Sequence, residues 1–354
     1  MDIIYSLFIS DRTLFRDLNV EMKMKSTVRY RLLWALKLAA FFLSVLYIGY
    51  HINSRVSLLE DGKKALQELT EGDSLKWFSL ALFLMLLNWA LETRKWQLLV
   101  KPIEQEGFLR SARSVLTGIT ISFYTPNRIG EFAGRMLHME PGHRVRGALA
   151  AFIGSSAQLL VTLQAGLLAV AIMAGSLMSV NSTLIFLIRV LLVSSCFSIT
   201  YFWFRLSSLT KLFDKFSWLR KYKDYGDVFA KYHQRELLIT WLFSIARYLV
   251  FSTQQFLLLK AFHVSVDYFT CLELSALSFL VITLIPSVAL GELGLRGGVN
   301  LAVFGRVTSD SSAILIATFT LWCINLALPA LLGAVSLLYI RISDGRNAAP
   351  ADHT

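Results

Sequence analysis

The sequence predicts an all-α integral membrane protein: six full transmembrane helices plus two inverted re-entrant (broken) half-helix elements, with both termini cytoplasmic. Three observations carry this. Six apolar runs are long enough to cross a bilayer, which takes about 20 residues of helix. Two further apolar runs each end at a proline followed by glycine and charge. Basic residues collect in alternate connections, as they do on the cytoplasmic side of polytopic proteins.

Composition supports the class. Of 354 residues, 55% are hydrophobic, 13% aromatic and only 17% charged, with a mean hydropathy of +0.56. A soluble domain carries about 45–50% apolar and about 25% charged residues. The formal net charge of +11 fits basic loops facing anionic headgroups and gives no reason to expect nucleic acid. Cys196, Cys271 and Cys323 each lie in an apolar run with no CxxC spacing, and the six histidines form no HxxxH pair. No metal site or cofactor is expected, and the cysteines read as small apolar fillers.

The six spans fall at 32–52, 75–93, 147–173, 182–204, 237–260 and 311–340, within one transmembrane domain of residues 32–341. Residues 1–31 form a basic cytoplasmic segment and 342–354 a tail; Met22 or Met24 would open a more typical leader than Met1. The linker 205–236 interleaves Lys and Arg with Phe, Trp and Tyr, a pattern that suits an amphipathic stretch lying on the anionic leaflet. Segments 1–31, 94–113 and 205–236 are rich in Lys and Arg and are placed inside. Loop 53–74 is net acidic, loop 174–181 has no charge, and loop 261–268 has only Asp267; these are placed outside.

Residues 108–124 and 269–286 are apolar but rich in Ser and Thr, and each reads as a half-helix that enters the membrane and breaks. With their flanks, 108–138 and 269–306, they enter from opposite sides. "YTPNRIGEFAGRML" contains Pro126, Gly130, Glu131, Gly134 and Arg135; "LIPSVALGELGLRGGV" contains Pro286, Gly291, Glu292, Gly294 and Arg296. Proline removes a backbone donor and stops a helix, and glycine supplies the dihedrals a break demands. The four glycines and two prolines are therefore expected at the breaks. Backbone freed in this way is tolerated at membrane depth only inside protein or beside a wet cavity.

Glutamate precedes arginine by four residues in both stretches, so each pair shares a face if helix resumes. Cross-pairing, Glu131 with Arg296 and Glu292 with Arg135, is equally compatible with the sequence. Ionisable groups at this depth mark binding sites, and paired broken helices point to a transporter's centre. Arg247, roughly 15 Å into its span at about 1.5 Å per residue, is expected to face inward and meet an acid or a phosphate. Arg128, Glu131, Arg135, Arg247, Glu292 and Arg296 are thus the candidate central site. Glu92 and Arg94, at a span end beside Trp89 and Trp96, read as an interfacial anchor; Gln158, Gln164, Gln254 and Gln255 read as bridges between helices.

"YTPNRIGEFAGR" resembles the TPGRIGEFAGR-type signature of the lysylphosphatidylglycerol synthase transmembrane-region family of flippase-like membrane proteins. "IPSVALGELGLRGG" resembles that family's later signature, and "ETRKWQLLV" its typical end of an early span. The likeness runs from about residue 30 to 341. Asn127 stands where glycine is common, and Gly297 follows Arg296 where the family usually has Glu. In that family the membrane module occurs alone or fused to a soluble aminoacyl-transfer domain that makes lysyl-lipid. The resemblance implies lipid handling, with movement of lipid between leaflets. The sequence runs only to residue 354, so the membrane module alone, without the transferase, is expected.

The leading functional expectation is a flippase-like protein of the bacterial cytoplasmic (inner) membrane. It would bind an anionic phospholipid or lipid-linked glycan, with arginines on phosphate. No GxxxxGK[ST] motif is present to bind ATP. Two other classes stand beside it. One is a membrane scaffold or partner subunit of an envelope-biosynthesis system. The other is a lipid-modifying enzyme using Glu131 or Glu292 as base, although no Ser–His or metal-ligand set accompanies them.

Overall fold

The computed structural model describes residues 72–123, 125, 128–177, 181–206, 228–285 and 289–338. The span expected at 32–52, the segments 1–31 and 342–354, the core of the linker at 207–227, and Pro126 and Pro286 lie outside the described residues.

Among the described residues every regular element is helical. In chain order these are α1 (Ser74–Val100), α2 (Phe108–Ser122), α3 (Gly130–Met136), α4 (Arg144–Leu177), α5 (Ser182–Phe204), α6 (Gln234–Ala261), α7 (Tyr268–Leu284), α8 (Ala289–Phe304), α9 (Ser311–Trp322) and α10 (Leu328–Leu338). A 3₁₀ turn, Pro141–His143, leads into α4, and a π-helical turn, Cys323–Ala327, joins α9 to α10. Five helical stretches are long and apolar enough to cross a membrane: Ser74–Val100, Pro141–Ser176, Ser182–Phe204, Gln234–Ala261 and Ser311–Leu337. They correspond to the five expected spans that fall within the described residues. The family of exposed apolar side chains has the same meaning. On α5, Phe186, Leu191, Phe197 and Phe202 are all more than 60% exposed, an arrangement that suits a lipid surface and not water.

α1 and α6 pack along one another and form the spine of the bundle; α4, α7 and α9 lean on α6, and α5 lies against α4. One apolar core joins Leu257, Leu258, Cys271, Phe304, Ile314 and Leu321; a second joins Trp96, Leu99, Val115, Ile153, Trp203 and Tyr232. Tyr232, just before α6, is buried and hydrogen-bonds Leu99 O, which fastens this end of the linker to α1, while Lys231, His233 and Arg235 beside it are exposed.

Two helix–break–helix units stand out. α2 is followed by the break and then α3, which folds back against α2; α7 is followed by a break and then α8. α2 ends at Ser122 and α7 at Leu284, ahead of Pro126 and Pro286, which lie outside the described residues; the glycines expected at the breaks lie in helices. Gly130 and Gly134 lie within α3, and Gly291 and Gly294 within α8. Among the described residues of the first break, Arg128 is left-handed, with φ of 58°. A non-glycine residue held in that region costs free energy and persists because its neighbours fix it: Arg128 N–H donates to Thr125 O (3.3 Å), and Thr125 Oγ1 accepts from Gly130 N–H (2.8 Å). Gly134 has a different reason: a Cβ there would lie 2.6 Å from Gly118 Cα. Its hydrogen lets α3 press onto α2, as small residues do at helix crossings in membranes.

The last expected span, 311–340, is not one regular helix. Pro329 has no N–H to give Asn325 O, and its ring crowds that carbonyl; the chain takes the wider π turn immediately before it. α10 then packs on α2, where Thr120 Oγ1 donates to Ala330 O (2.7 Å).

A candidate polar site between the two breaks

Glu92 is the hub. It sits on α1, 6% exposed, and faces three cations. Its Oε1 accepts from Arg135 Nη2 of α3 (2.7 Å), and its Oε2 pairs with Lys95 Nζ (2.8 Å) and with Arg247 Nη1 of α6. Arg135 also pairs with Glu131 one turn earlier and lies over the Trp96 ring, 5.2 Å from its centroid. Arg247 reaches further: Nε donates to Asn88 Oδ1 (2.9 Å) and Nη1 to Gln158 Oε1 (3.3 Å). Lys95 Nζ donates to Gly154 O of α4 (3.3 Å). One carboxylate thus ties together α1, α3, α4 and α6.

The second cluster centres on Glu292 of α8. Its Oε1 accepts from Arg296 Nε (3.1 Å) and Nη2 one turn on, and from Arg128 Nη2 in the first break (3.3 Å). Of the two pairings the sequence left open, the i,i+4 pairs Glu131–Arg135 and Glu292–Arg296 form. The cross-pairs Glu131–Arg296 and Glu292–Arg135 do not. The stretches are joined instead by Arg128–Glu292.

Between the clusters lies a cavity of about 100 Å³ whose wall includes Glu92, Arg128, Arg247, Arg296 and Asn325. A second, of about 210 Å³, shares Asn88, Arg128, Arg247, Phe251 and Arg296 and extends towards Gln158, Thr162 and Thr283. The π turn contributes Asn325, which accepts from Asn88 Nδ2 (2.9 Å) and donates to Gln254 Oε1 (3.2 Å). Four of the six candidate residues line or support these cavities through Arg128, Arg247, Arg296 and Glu292; Glu131 and Arg135 stand behind them, on the far side of Glu92. Each cavity is smaller than the roughly 300–1,000 Å³ of a drug-sized ligand pocket.

Glu92 and Lys95 are the residues that sequence reasoning missed. Glu92 is not an interfacial anchor, because α1 continues to Val100 and carries it into the protein. The signal was the apolar segment "WQLLV" after the charges, which marks continued helix and not a loop. Arg94 does stay outside, bonded to Gln97 Oε1 (3.0 Å) and stacked 4.9 Å from the Phe108 ring. Gln158, Gln164 and Gln254 bridge helices as expected, to Ser244 O, Thr200 Oγ1 and Ala81 O; Gln255 is buried with no hydrogen-bond partner among the described residues.

A third polar cluster clasps the connection between α1 and α2 to the end of α3. Glu106 is buried and accepts from Trp96 Nε1 (3.2 Å) and Ser111 Oγ (3.0 Å); burial pushes its carboxyl above the usual range. Burial acts the same way on Glu104, but hydrogen bonds from Glu140 N–H, His143 and Arg110 outweigh it and hold that carboxyl low. His138 Nε2 meets Thr117 Oγ1 at 2.9 Å, and burial, then the charges of Arg110 and Arg113, bring its pKa down to about 4. Among the described residues no group of three His, Cys, Asp or Glu side chains gathers as a metal site.

Apolar spans of membrane length wrapped around an ion-paired, partly hollow centre define an integral membrane protein with an internal polar site. The chain belongs to the lysylphosphatidylglycerol synthase TM region family, whose model matches residues 33–333. No curated protein gives a significant match to the chain.

Proposed function

We propose that this protein binds the phosphate-bearing headgroup of a membrane lipid between its two helix breaks and carries it from one leaflet to the other in the bacterial cytoplasmic membrane. The single observation behind this reading is the convergence of Arg128, Arg247 and Arg296 on adjoining cavities. Guanidinium groups are suited to phosphate through planar, charge-assisted hydrogen bonds. In this reading α2–α3 and α7–α8 are re-entrant elements of opposite orientation, and the Arg128–Glu292 tie is the contact that opens and closes. Membership of a lipid-handling family supports the assignment. Transport is preferred to lipid chemistry because Glu131 and Glu292, the candidate bases, are each already engaged by a guanidinium.

The test is transfer of a fluorescent phospholipid between leaflets of liposomes containing the purified protein. Arg296→Gln is expected to reduce transfer at least tenfold while the protein still purifies folded. Equal transfer by the variant and the unaltered chain would overturn the reading in favour of a scaffold.

A further inference from the structure

The charges around the cavities do not cancel. In the first cluster Lys95, Arg135 and Arg247 face Glu92 and Glu131; in the second Arg128 and Arg296 face Glu292. Five cations meet three carboxylates, so each cluster keeps one positive charge in excess, two in all. The spare hydrogen-bonding capacity has the same sign. Glu92 is engaged on both oxygens and Glu292 Oε1 takes two guanidinium groups. On the arginines, Arg247 Nη2, Arg296 Nη1 and Arg128 Nη1 have no partner among the described residues. The buried indole nitrogens of Trp89 and Trp322, two residues of the smaller cavity's wall, likewise find no acceptor. The site is thus rich in free donors and two positive charges over balance, and the carboxylate oxygens left without a partner among the described residues are the second oxygens of Glu131 and Glu292. An uncompensated charge in such surroundings is costly and is met by a ligand of opposite sign.

Given that these cavities take a headgroup, we infer that the ligand is a phosphate group carrying two negative charges, a phosphomonoester or a diphosphate on a lipid, and that an aminoacylated, cationic headgroup is rejected. A phosphomonoester has a second pKa of about 6 and reaches nearly −2 at pH 7, whereas a phosphodiester such as phosphatidylglycerol stops at −1. A lysyl headgroup would bring ammonium groups to a site whose carboxylates are already held by arginine and lysine. The apolar part of the wall, Phe251, Leu321 and Leu326, suits the start of an acyl or prenyl chain.

The test is competitive binding to the full chain in phosphatidylcholine discs, read by native mass spectrometry, with four probes: dioleoylphosphatidic acid, dioleoylphosphatidylglycerol, lysyl-phosphatidylglycerol and inorganic pyrophosphate. Phosphatidic acid is expected to bind at least tenfold tighter than either phosphatidylglycerol, and Arg128→Gln and Arg296→Gln are each expected to erase most of that preference. Arg94→Gln, which removes an exposed charge away from the cavities, is expected to keep it. Arg128, with its side chain 44% exposed, carries the test if Arg296→Gln does not fold. Equal binding of the lipids, or preference for lysyl-phosphatidylglycerol, would overturn the two-charge inference and leave the headgroup reading standing. Pyrophosphate binding as tightly as phosphatidic acid would place a soluble anion in the site and overturn the lipid source. Binding of no probe would overturn both.

Discussion

Arg128 and Glu292, 164 residues apart, form a 3.3 Å ion pair that joins the first helix break to the start of the helix after the second. Arg128 is the residue at positive φ, so the strained backbone and the joining side chain are one and the same. Replacing it by Gln removes the pair but leaves the backbone demand unchanged. Because the side chain is 44% exposed, the cost to stability is expected to be small, about 0–1 kcal/mol. Lipid transfer is expected to fall tenfold or more. Thermal melts and leaflet-transfer rates on the same preparation check the two halves; a large loss of stability with normal transfer would reverse their roles.

Glu92 is expected to be the least replaceable residue of the site. Glu92→Gln leaves Lys95, Arg135 and Arg247 without their shared counter-charge, and breaking a buried pair in this way costs about 3–5 kcal/mol. Adding Lys95→Met removes one of the stranded cations, so the double variant is expected to melt above the single one. A double variant that melts lower still would show that Lys95 is held by something other than Glu92.

Much of this fold is legible in the sequence, because long apolar runs and proline stops act locally. The expected runs 108–124 and 269–286 are observed as Phe108–Ser122 and Tyr268–Leu284. Helical geometry made the i,i+4 pairs one of two pairings open to the sequence, and resumed helix at α3 and α8 decides for them. The burial of Glu92 was not legible, since hydropathy falls at the first charge even where helix continues to Val100. Neither was the Arg128–Glu292 pair, which depends on two distant turns meeting. The glycines were expected at the breaks for their dihedrals, because sequence shows a missing side chain but not what presses against it: at Gly134 it is Gly118.

That close approach gives a direct test. Gly134→Ala puts a methyl group 2.6 Å from Gly118 Cα and 2.7 Å from Thr117 O, both backbone atoms that cannot rotate away. The expected cost is about 1–3 kcal/mol. Gly142→Ala, whose added methyl group would have no atom within 4 Å, is the matched control and is expected to melt like the unaltered chain.

His138 predicts how the α2–α3 junction responds to acid. Its folded pKa of about 4 lies below the ordinary 6.5, so the unfolded chain takes up the proton first as pH falls. The contribution of the neutral ring is complete above about 6.5 and is lost between there and about 4. The protection of α3 amides against hydrogen exchange, taken relative to the intrinsic exchange rate at each pH, is expected to fall over that interval. His138→Gln should flatten the response; an unchanged profile would assign it to another group, with Glu104 and Glu106 next in line.

The wide turn at Cys323–Ala327 inserts one residue more than a regular helix would need. One residue is about 100° of rotation, so everything from Leu328 onward is phased differently from Ser311–Trp322. That offset is what points Gly333 and the Ala330 carbonyl at α2. A deletion of a single residue between 323 and 327 would keep the hydropathy of the segment intact and still swing α10 away from its seat, making the angular bookkeeping of this helix as much a part of the site as its arginines.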